Sequence, residues 1–115
     1  MNIFEKIKKM IFSFRDERDW KQFHNPKDLA EAIMIESWEL LEHFLWKSQQ
    51  QSKEIVIHKK EYTEDELADI FSYLILFADS TWIDIFSAVI KKIEKNKKKY
   101  PIEKSKGNSN KYNEF

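Results

Sequence analysis

The sequence lacks cysteine altogether and has only one glycine and two prolines in 115 residues. Without cysteine the chain can form no disulfide, no thiolate nucleophile and no zinc–thiolate site. The absence agrees with a reducing compartment, and the cytoplasm is the expected location. So few glycines and prolines leave little of the turn chemistry that an all-β fold needs, which favours an all-α fold.

Excess charge and long apolar runs are also missing. Twenty Lys and Arg residues balance twenty Asp and Glu residues, so neither nucleic acid nor a membrane surface is an expected partner. Lys, Glu, Arg and Asp interrupt the first twenty residues, which therefore predict neither a signal-peptide core nor a membrane span. The length and the 42% of hydrophobic residues predict a single domain over residues 1–115.

Apolar residues recur three and four positions apart along the chain, which is the spacing of amphipathic helices. A capping pattern, Asn25 before Pro26, precedes the second helix, and Asp84 is a candidate cap of the last one. Thr63 and Glu66 have the spacing of a capping box before the third helix. The sequence predicts an antiparallel four-helix bundle-like domain with helices over residues 3–18, 26–48, 64–80 and 85–100.

Two segments of the chain are predicted to lie outside the helices. Residues 49–62 are polar around a short apolar run and are interpreted as a loop. Residues 101–115 follow the helix-ending Pro101 and form a basic C-terminal tail. Residues 91–111 hold nine lysines against two acidic residues, so the neutral total conceals a basic end.

Two pairs of carboxylates stand out, Glu36 with Glu39 and Glu66 with Asp69. Residues three apart on a helix have Cβ atoms about 5–6 Å apart, so each pair can face one cation. Antiparallel packing of the second and third helices would bring the two pairs level. The four carboxylates have neither a cysteine nor a histidine at ligand spacing beside them. Such a set suits Mg²⁺ or Mn²⁺, with water and substrate phosphate oxygens as further ligands.

A simpler interpretation competes with the metal site, because carboxylates spaced this way usually form a solvated helix face. Glu66 also has a second role open to it, as the reciprocal arm of the Thr63 capping box. Against the solvated face, Glu36 and Glu39 lie inside the apolar run of residues 32–41. Like charges clustered in such surroundings need a cation.

The order Glu-x-x-Glu, 26 intervening residues, Glu-x-x-Asp resembles the signature of the all-α nucleoside triphosphate pyrophosphohydrolases, the MazG-like superfamily. The local text is similar to the dCTP-pyrophosphatase branch over most of residues 14–115. The similar segments are, in order, FRDERDWKQFHNPKDLA, IESWELLEHFLW, ELADIFSYLILFAD, KIEKNKKKYP and KGNSNKYNEF. The resemblance implies Mg²⁺-dependent hydrolysis of a (deoxy)nucleoside triphosphate, dCTP or a modified dNTP among them, to monophosphate and pyrophosphate.

The resemblance also implies residue roles. The metal ligands and catalytic residues would be Glu36, Glu39, Glu66 and Asp69, with one glutamate orienting the attacking water. Residues that would bind or flank the nucleotide, or support the site around it, are Trp20, His24, Trp46, Tyr73, Lys92, Asn96 and Lys99. Each of these has an ordinary alternative: core packing for the aromatic residues, a loop position for His24, and solvated charge for the lysines.

One departure from the family pattern lies between Glu36 and Glu39. The family usually carries small residues there, whereas this chain has Ser37 and the bulky Trp38. We expect the departure to affect substrate preference more than the chemistry.

Two other classes of function compete with the enzyme. A non-catalytic helical binding module would use the carboxylates in intersubunit salt bridges and the basic end to bind an anionic partner. A di-iron bundle expects Glu-x-x-His on two helices, and the only nearby histidine is His43. Because so few helices can scarcely wall a pocket and bury the aromatic residues, we expect a homo-oligomer, either a homodimer or a homotetramer.

Overall fold

A computed structural model describes all 115 residues. It contains helices and no strand, which confirms the all-α class. The longer helices are α1 (Ile3–Glu17), α2 (Pro26–Glu42), α3 (Gln49–His58), α4 (Lys60–Ser80) and α5 (Ile85–Lys99), followed by the single turn α6 (Ile102–Ser105). Short 3₁₀ turns cover Lys21–Phe23 and Tyr112–Glu114.

The chain divides into two compact units, Met1–Trp82 and Ile83–Phe115. In the first unit α2 packs along α4 over most of its length, and α1 and α3 contact α4 over shorter stretches. The buried apolar core consists of Leu29 on α2 with Ile75, Leu76 and Ala78 on α4. A fully buried Leu or Ile contributes about 1.5–3 kcal/mol to the stability of the fold. Because three of these four residues lie on α4, it is the central helix of this unit.

Two predicted helix starts are confirmed by their caps. The Asn25 side chain accepts a hydrogen bond from the Asp28 backbone N–H at 2.9 Å, with Pro26 in the first turn. The Asp84 side chain accepts one from the Ser87 backbone N–H at 3.1 Å. Both caps stabilise amide groups that would otherwise lack a partner at the start of a helix.

The predicted loop over residues 49–62 is wrong. Ser48 and Gln51 form a capping box that starts α3, and the Gln, Lys and Glu residues after it are good helix formers. The next helix, α4, begins already at Lys60, so Thr63 lies inside it and its hydroxyl donates to the Lys59 carbonyl at 3.4 Å. The predicted Thr63 capping box is therefore also wrong, and Glu66 has no capping role.

The predicted end of the second helix at Ser48 is wrong as well, because α2 ends at Glu42. Apolar residues continue at helical spacing beyond that point, which hides the end from the sequence pattern. The chain has its only glycine at position 107, so non-glycine residues take the left-handed conformations near helix ends: Asp19, Trp46 and Trp82, with φ of 55°, 64° and 58°. Such a conformation costs about 1 kcal/mol or more for an L-residue.

In the second unit, the C-terminal segment folds back on the end of α5. The Tyr100 ring meets the rings of Tyr112 and Phe115 edge to face, with centroids 6.0 and 5.9 Å apart. The Lys99 ammonium lies 5.0 Å from the Tyr112 ring centroid, a cation–π contact. The predicted tail therefore has local structure that its composition did not indicate.

No helix is, on its own, long and apolar enough to cross a bilayer; only α4 and α5 taken together as a bent pair reach that length and composition.

Candidate metal site and adjoining cavity

Carboxylates from α2 and α4 converge at one place in the first unit. One oxygen atom from each of Glu36, Glu39 and Glu66 lies within 4.8 Å of the other two. Glu36 and Glu39 are one turn apart on α2, and Glu66 reaches them from α4 because these two helices form the main packing contact of the unit. Helix packing therefore brings together Glu39 and Glu66, which are separated by 26 residues in the sequence.

The three glutamates are half-buried, and their charges are poorly compensated. The buried Oε2 atoms of Glu36 and Glu66 have no hydrogen-bond donor. Burial is the main cause that raises the pKa of Glu36 to about 7, followed by sharing of its proton with Glu66 and Glu39, and then by nearby negative charge. Without a counter-charge, Glu36 therefore holds a proton at a pH where a solvated glutamate is ionised.

A divalent cation fits this donor set. The unpartnered buried oxygens belong to a cluster that lacks a positive charge. A cation bound there would give these oxygens a partner and would supply the missing charge. The trio contains only carboxylate oxygens and no histidine, which favours a hard cation over zinc or iron.

Asp69, the fourth predicted ligand, lies one turn after Glu66 on α4 but outside the trio. Its side chain is exposed. Its negative charge contributes to the raised pKa values of Glu36 and Tyr73, so it lies close to both. Asp69 also lines the adjoining cavity and thus stands between the carboxylate trio and that cavity.

The cavity has a volume of about 360 Å³, within the usual range for small-molecule sites. α1 and the segment between α1 and α2 form one wall, and α4 forms the other. Aromatic side chains line it on both sides, with Phe14 and Trp20 facing Tyr73. The Phe14 and Trp20 rings meet edge to face, with centroids 5.7 Å apart. The result is an aromatic cavity directly beside a cluster of carboxylates.

Two polar side chains of the cavity are tuned by their surroundings. Burial, and secondarily the charge of Arg15, lowers the pKa of His24, which keeps the imidazole neutral at neutral pH. Its buried Nδ1 has no partner within the chain. Burial, with the charges of nearby carboxylates, raises the pKa of the Tyr73 phenol and keeps its O–H protonated. Trp20, His24 and Tyr73 thus line the same cavity.

The other predicted substrate residues are not among those that line this cavity within the first unit. Trp46 follows α2 in a turn, is 93% exposed and does not line the cavity. Lys92, Asn96 and Lys99 are exposed side chains on α5, in the second unit. The departure from the family pattern, Trp38, is about half exposed on α2.

The sequence prediction missed Arg15, which is buried in the cavity wall. It follows Ile11 by four positions, so it falls on the apolar side of α1. A charged residue at such a position was the signal that could have identified it.

The model of the MazG-like family matches residues 32–115. The chain belongs to the MazG-like family. The match covers most of α2 and all of α4, the helices that carry the converging carboxylates, and extends through the second unit. The predicted resemblance is therefore confirmed.

Curated relatives of this MazG-like chain include dCTP pyrophosphatase 1 of Rattus norvegicus, 37% identical over 113 residues, and of Homo sapiens, 34% identical over 113 residues. Each alignment covers 96% of this chain and 66% of the relative. The chain thus spans about two thirds of the length of the curated relatives it matches.

A solved structure, that of a pyrophosphatase from Archaeoglobus fulgidus, has the same fold. It is 39% identical in sequence, and the superposition has a TM-score of 0.84. It covers 88% of this chain and 94% of that protein.

Proposed function

We propose that this MazG-like chain hydrolyses nucleoside triphosphates, with dCTP or a modified dNTP as the first candidates, to the monophosphate and pyrophosphate. The observation that carries the proposal is the convergence of Glu36, Glu39 and Glu66 directly beside an aromatic cavity. A triphosphate needs charge neutralisation and a base needs a flat apolar wall, and the two requirements meet here on one helix, α4. The names of the relatives, dCTP pyrophosphatase and pyrophosphatase, support the same reaction.

In this proposal Mg²⁺ is the cofactor, and Mn²⁺ can replace it. Glu36, Glu39 and Glu66 would hold the cation, and Asp69 would complete the set from the cavity side. When bound, the cation would neutralise phosphate oxygens and stabilise charge that develops during the displacement. Water attacks the α-phosphorus, the bond to the bridging oxygen breaks, and pyrophosphate leaves. One of the glutamates orients that water and accepts its proton.

The aromatic cavity is the proposed site for the base and sugar. Trp20 offers an indole face for stacking, and neutral His24 offers an unpartnered nitrogen that can hydrogen-bond to the nucleotide. Tyr73 lies between the cavity and the carboxylates, and its O–H is suited to donate a hydrogen bond to a carboxylate that would bind the cation. From α5, Asn96 would contact the sugar or triphosphate, and Lys92 and Lys99 would add positive charge. The family match over residues 32–115 supports one functional domain that includes both units.

A homo-oligomer, either a dimer or a tetramer, is part of the proposal. Both main helices of the first unit expose apolar stripes at helical spacing, more than a solvated surface normally carries. The exposed stripe residues are Met34, Ile35, Trp38 and Leu41 on α2, and Leu67, Phe71 and Leu74 on α4. The fully exposed Trp46 would be covered in the same way, by another copy or by the nucleotide. We expect light scattering to show at least a dimer, whereas a monomer would contradict the proposed homo-oligomer.

The absence of cysteine supports the cytoplasm as the compartment.

The first test is a panel of canonical and modified dNTPs and rNTPs, incubated with the purified protein and Mg²⁺. We expect pyrophosphate and nucleoside monophosphate in equal amounts from at least one of them, and no turnover with excess EDTA. Release of inorganic phosphate alone would contradict the proposal. Tight retention on nucleic acid at physiological salt, with no triphosphate turnover, would instead favour the binding module, for which the exposed lysines of α5 are the observation.

A further inference from the structure

We propose that Arg15 is a positioning residue that fastens the Trp20 wall of the cavity to α4, the helix that carries Glu66 and Asp69. We call this connection the Arg15 clamp. The inference rests on the proposed function, because it gives the clamp a role in the affinity for the base-bearing part of the substrate.

The side chain of Arg15 joins two helices. It is only 6% exposed, and its Nη1 donates to Asp79 Oδ2 on α4 at 2.7 Å. On its own helix, Nε donates to Asp16 Oδ1 at 2.8 Å, and the guanidinium lies 4.8 Å from the Phe12 ring centroid. The hydrogen bond between Arg15 and Asp16 is the main cause of two shifts: it raises the pKa of Arg15 and lowers the pKa of Asp16. Asp16 and Phe12 thus orient the guanidinium, so that Nη1 points to Asp79.

The backbone of Arg15 holds Trp20. Its carbonyl accepts a hydrogen bond from the Trp20 N–H at 3.1 Å, and the Asp19 N–H donates to the Asp16 carbonyl at 3.1 Å. With Asp19 at a φ of 55°, this is the Schellman pattern that ends a helix and reverses the chain. The usual apolar contact of that motif is present too, between Phe14 and Trp20. One residue therefore ties Trp20 to α1 through its carbonyl and α1 to α4 through its guanidinium.

This arrangement matters because Arg15 provides the ion pair that joins α1 to α4 beside the cavity. The contact of α1 with α4 is short compared with that of α2, and Met10 and Phe14 on the cavity side are mostly exposed. The opposite cavity wall, by contrast, is set by α4 itself, with Asp69 and Tyr73 on the central helix. Loss of the ion pair would let the Trp20 wall move relative to the carboxylates while leaving the α2–α4 pair in place.

The structural test uses Asp79→Asn, which keeps the size of the side chain but removes its charge. Glu64→Gln is the matched control, because Glu64 is an exposed carboxylate on the same helix, paired to Lys60 at 3.8 Å and about four turns before Asp79. In hydrogen–deuterium exchange at 15 °C, with both variants shown by circular dichroism to be folded, Asp79→Asn should speed exchange in residues 18–24 by about tenfold. Exchange in α2 should stay unchanged, as should all segments of Glu64→Gln. Unchanged exchange in residues 18–24 of Asp79→Asn overturns the clamp.

The functional test uses dCTP, or whichever triphosphate the panel identifies, with Mg²⁺. Asp79→Asn should raise KM by about five- to tenfold and leave kcat within about twofold, because the wall binds the base and not the reacting phosphates. Inhibition by inorganic triphosphate, which has no base, should keep its wild-type Ki. A residue with a merely structural role would lower the melting temperature or the amount of active protein without this split between KM and Ki.

The outcomes separate this inference from the proposed function. If the wild-type protein hydrolyses no triphosphate but Asp79→Asn frees residues 18–24, the proposed function fails and the clamp stands without its role in substrate binding. If the wild-type protein is active and KM of Asp79→Asn is unchanged, the positioning role is overturned. Arg15→Lys should give an intermediate KM, since the ammonium keeps the charge but cannot contact both carboxylates in the same planar geometry.

Discussion

The first unit contains two clusters of charged side chains that both involve α4 and behave in opposite ways. In one, Glu36, Glu39 and Glu66 bring like charges together, and two buried oxygens have no partner. In the other, Arg15 is almost wholly buried, and two of its nitrogens donate to carboxylates at 2.7 and 2.8 Å. The first cluster is incomplete within the chain, because its charge has no counter-charge there, whereas the second is complete.

The difference shows how charge can identify a binding site and how it can identify a support. An uncompensated cluster of half-buried carboxylates lowers the stability of the fold on its own, which is the physical signature of a ligand site. A buried guanidinium whose hydrogen bonds to carboxylates are satisfied fixes geometry, although such an ion pair contributes little net stability compared with apolar packing. Substitutions in each cluster therefore should have different effects on activity and stability.

The largest effect is expected from the incomplete cluster. Glu39→Gln or Asp69→Asn should lower the rate of pyrophosphate release by at least about a thousandfold, since each change removes a charge that the reaction uses. Far-UV circular dichroism should match the wild type. The matched control on α2 is Glu31→Gln, an exposed carboxylate paired to Lys27, which should keep full activity. Full activity in both site variants would refute the assignment.

A smaller effect concerns the stability of the metal-free protein. The pKa of Glu36 is about 7 in the fold against an ordinary value of 4.5, so between these values the folded state binds a proton that the unfolded state has lost. Stability therefore falls as pH rises through this window, and the full loss is present above about pH 7. Glu36→Gln removes the loss and should stabilise the metal-free protein at pH 8 by about 1–2 kcal/mol, less than the bare shift would give because the group is only half-buried.

Urea unfolding in EDTA at pH 5 and pH 8 checks this prediction. The gain from Glu36→Gln should be clearly larger at pH 8, and Mg²⁺ should stabilise the wild type more than the variant. An equal effect at both pH values would show that the uncompensated charge of Glu36 is not its source.

The smallest effect is expected at the end of α4, three residues beyond the clamp residue Asp79. Trp82 is 77% exposed with a φ of 58°, so Trp82→Gly should relieve backbone strain and raise the free energy of unfolding by about 0.5–1 kcal/mol. Trp82→Ala, which keeps the strain, is the control and should give no gain. Thermal unfolding distinguishes the two, and a loss of stability in Trp82→Gly would mean that the indole itself stabilises the end of the helix.

Helix boundaries show where local reasoning succeeds and where it fails. The starts at Pro26 and Ile85 were predictable because Asn25 and Asp84 cap the first turn with their own side chains, an interaction within four residues. α3 was missed although Ser48 and Gln51 carry a capping pattern, because the apolar run within it is short and its helical spacing weak. The end of α2 at Glu42 was missed because apolar residues continue beyond it, and the termination involves Trp46 in a conformation that favours glycine.

The scarcity of glycine and proline and the apolar spacing were sufficient to predict the all-α class, and the separation of three residues identified the two carboxylate pairs. The sequence also carried the resemblance that the family match confirmed. Which carboxylates meet depends on the three-dimensional fold, because the packing of α2 on α4 places Glu36, Glu39 and Glu66 together and Asp69 at the cavity. The fold likewise revealed the role of Arg15, whose partner Asp79 is 64 residues away. Spacing within a helix is local, whereas the contact that completes a charge depends on how separate helices pack.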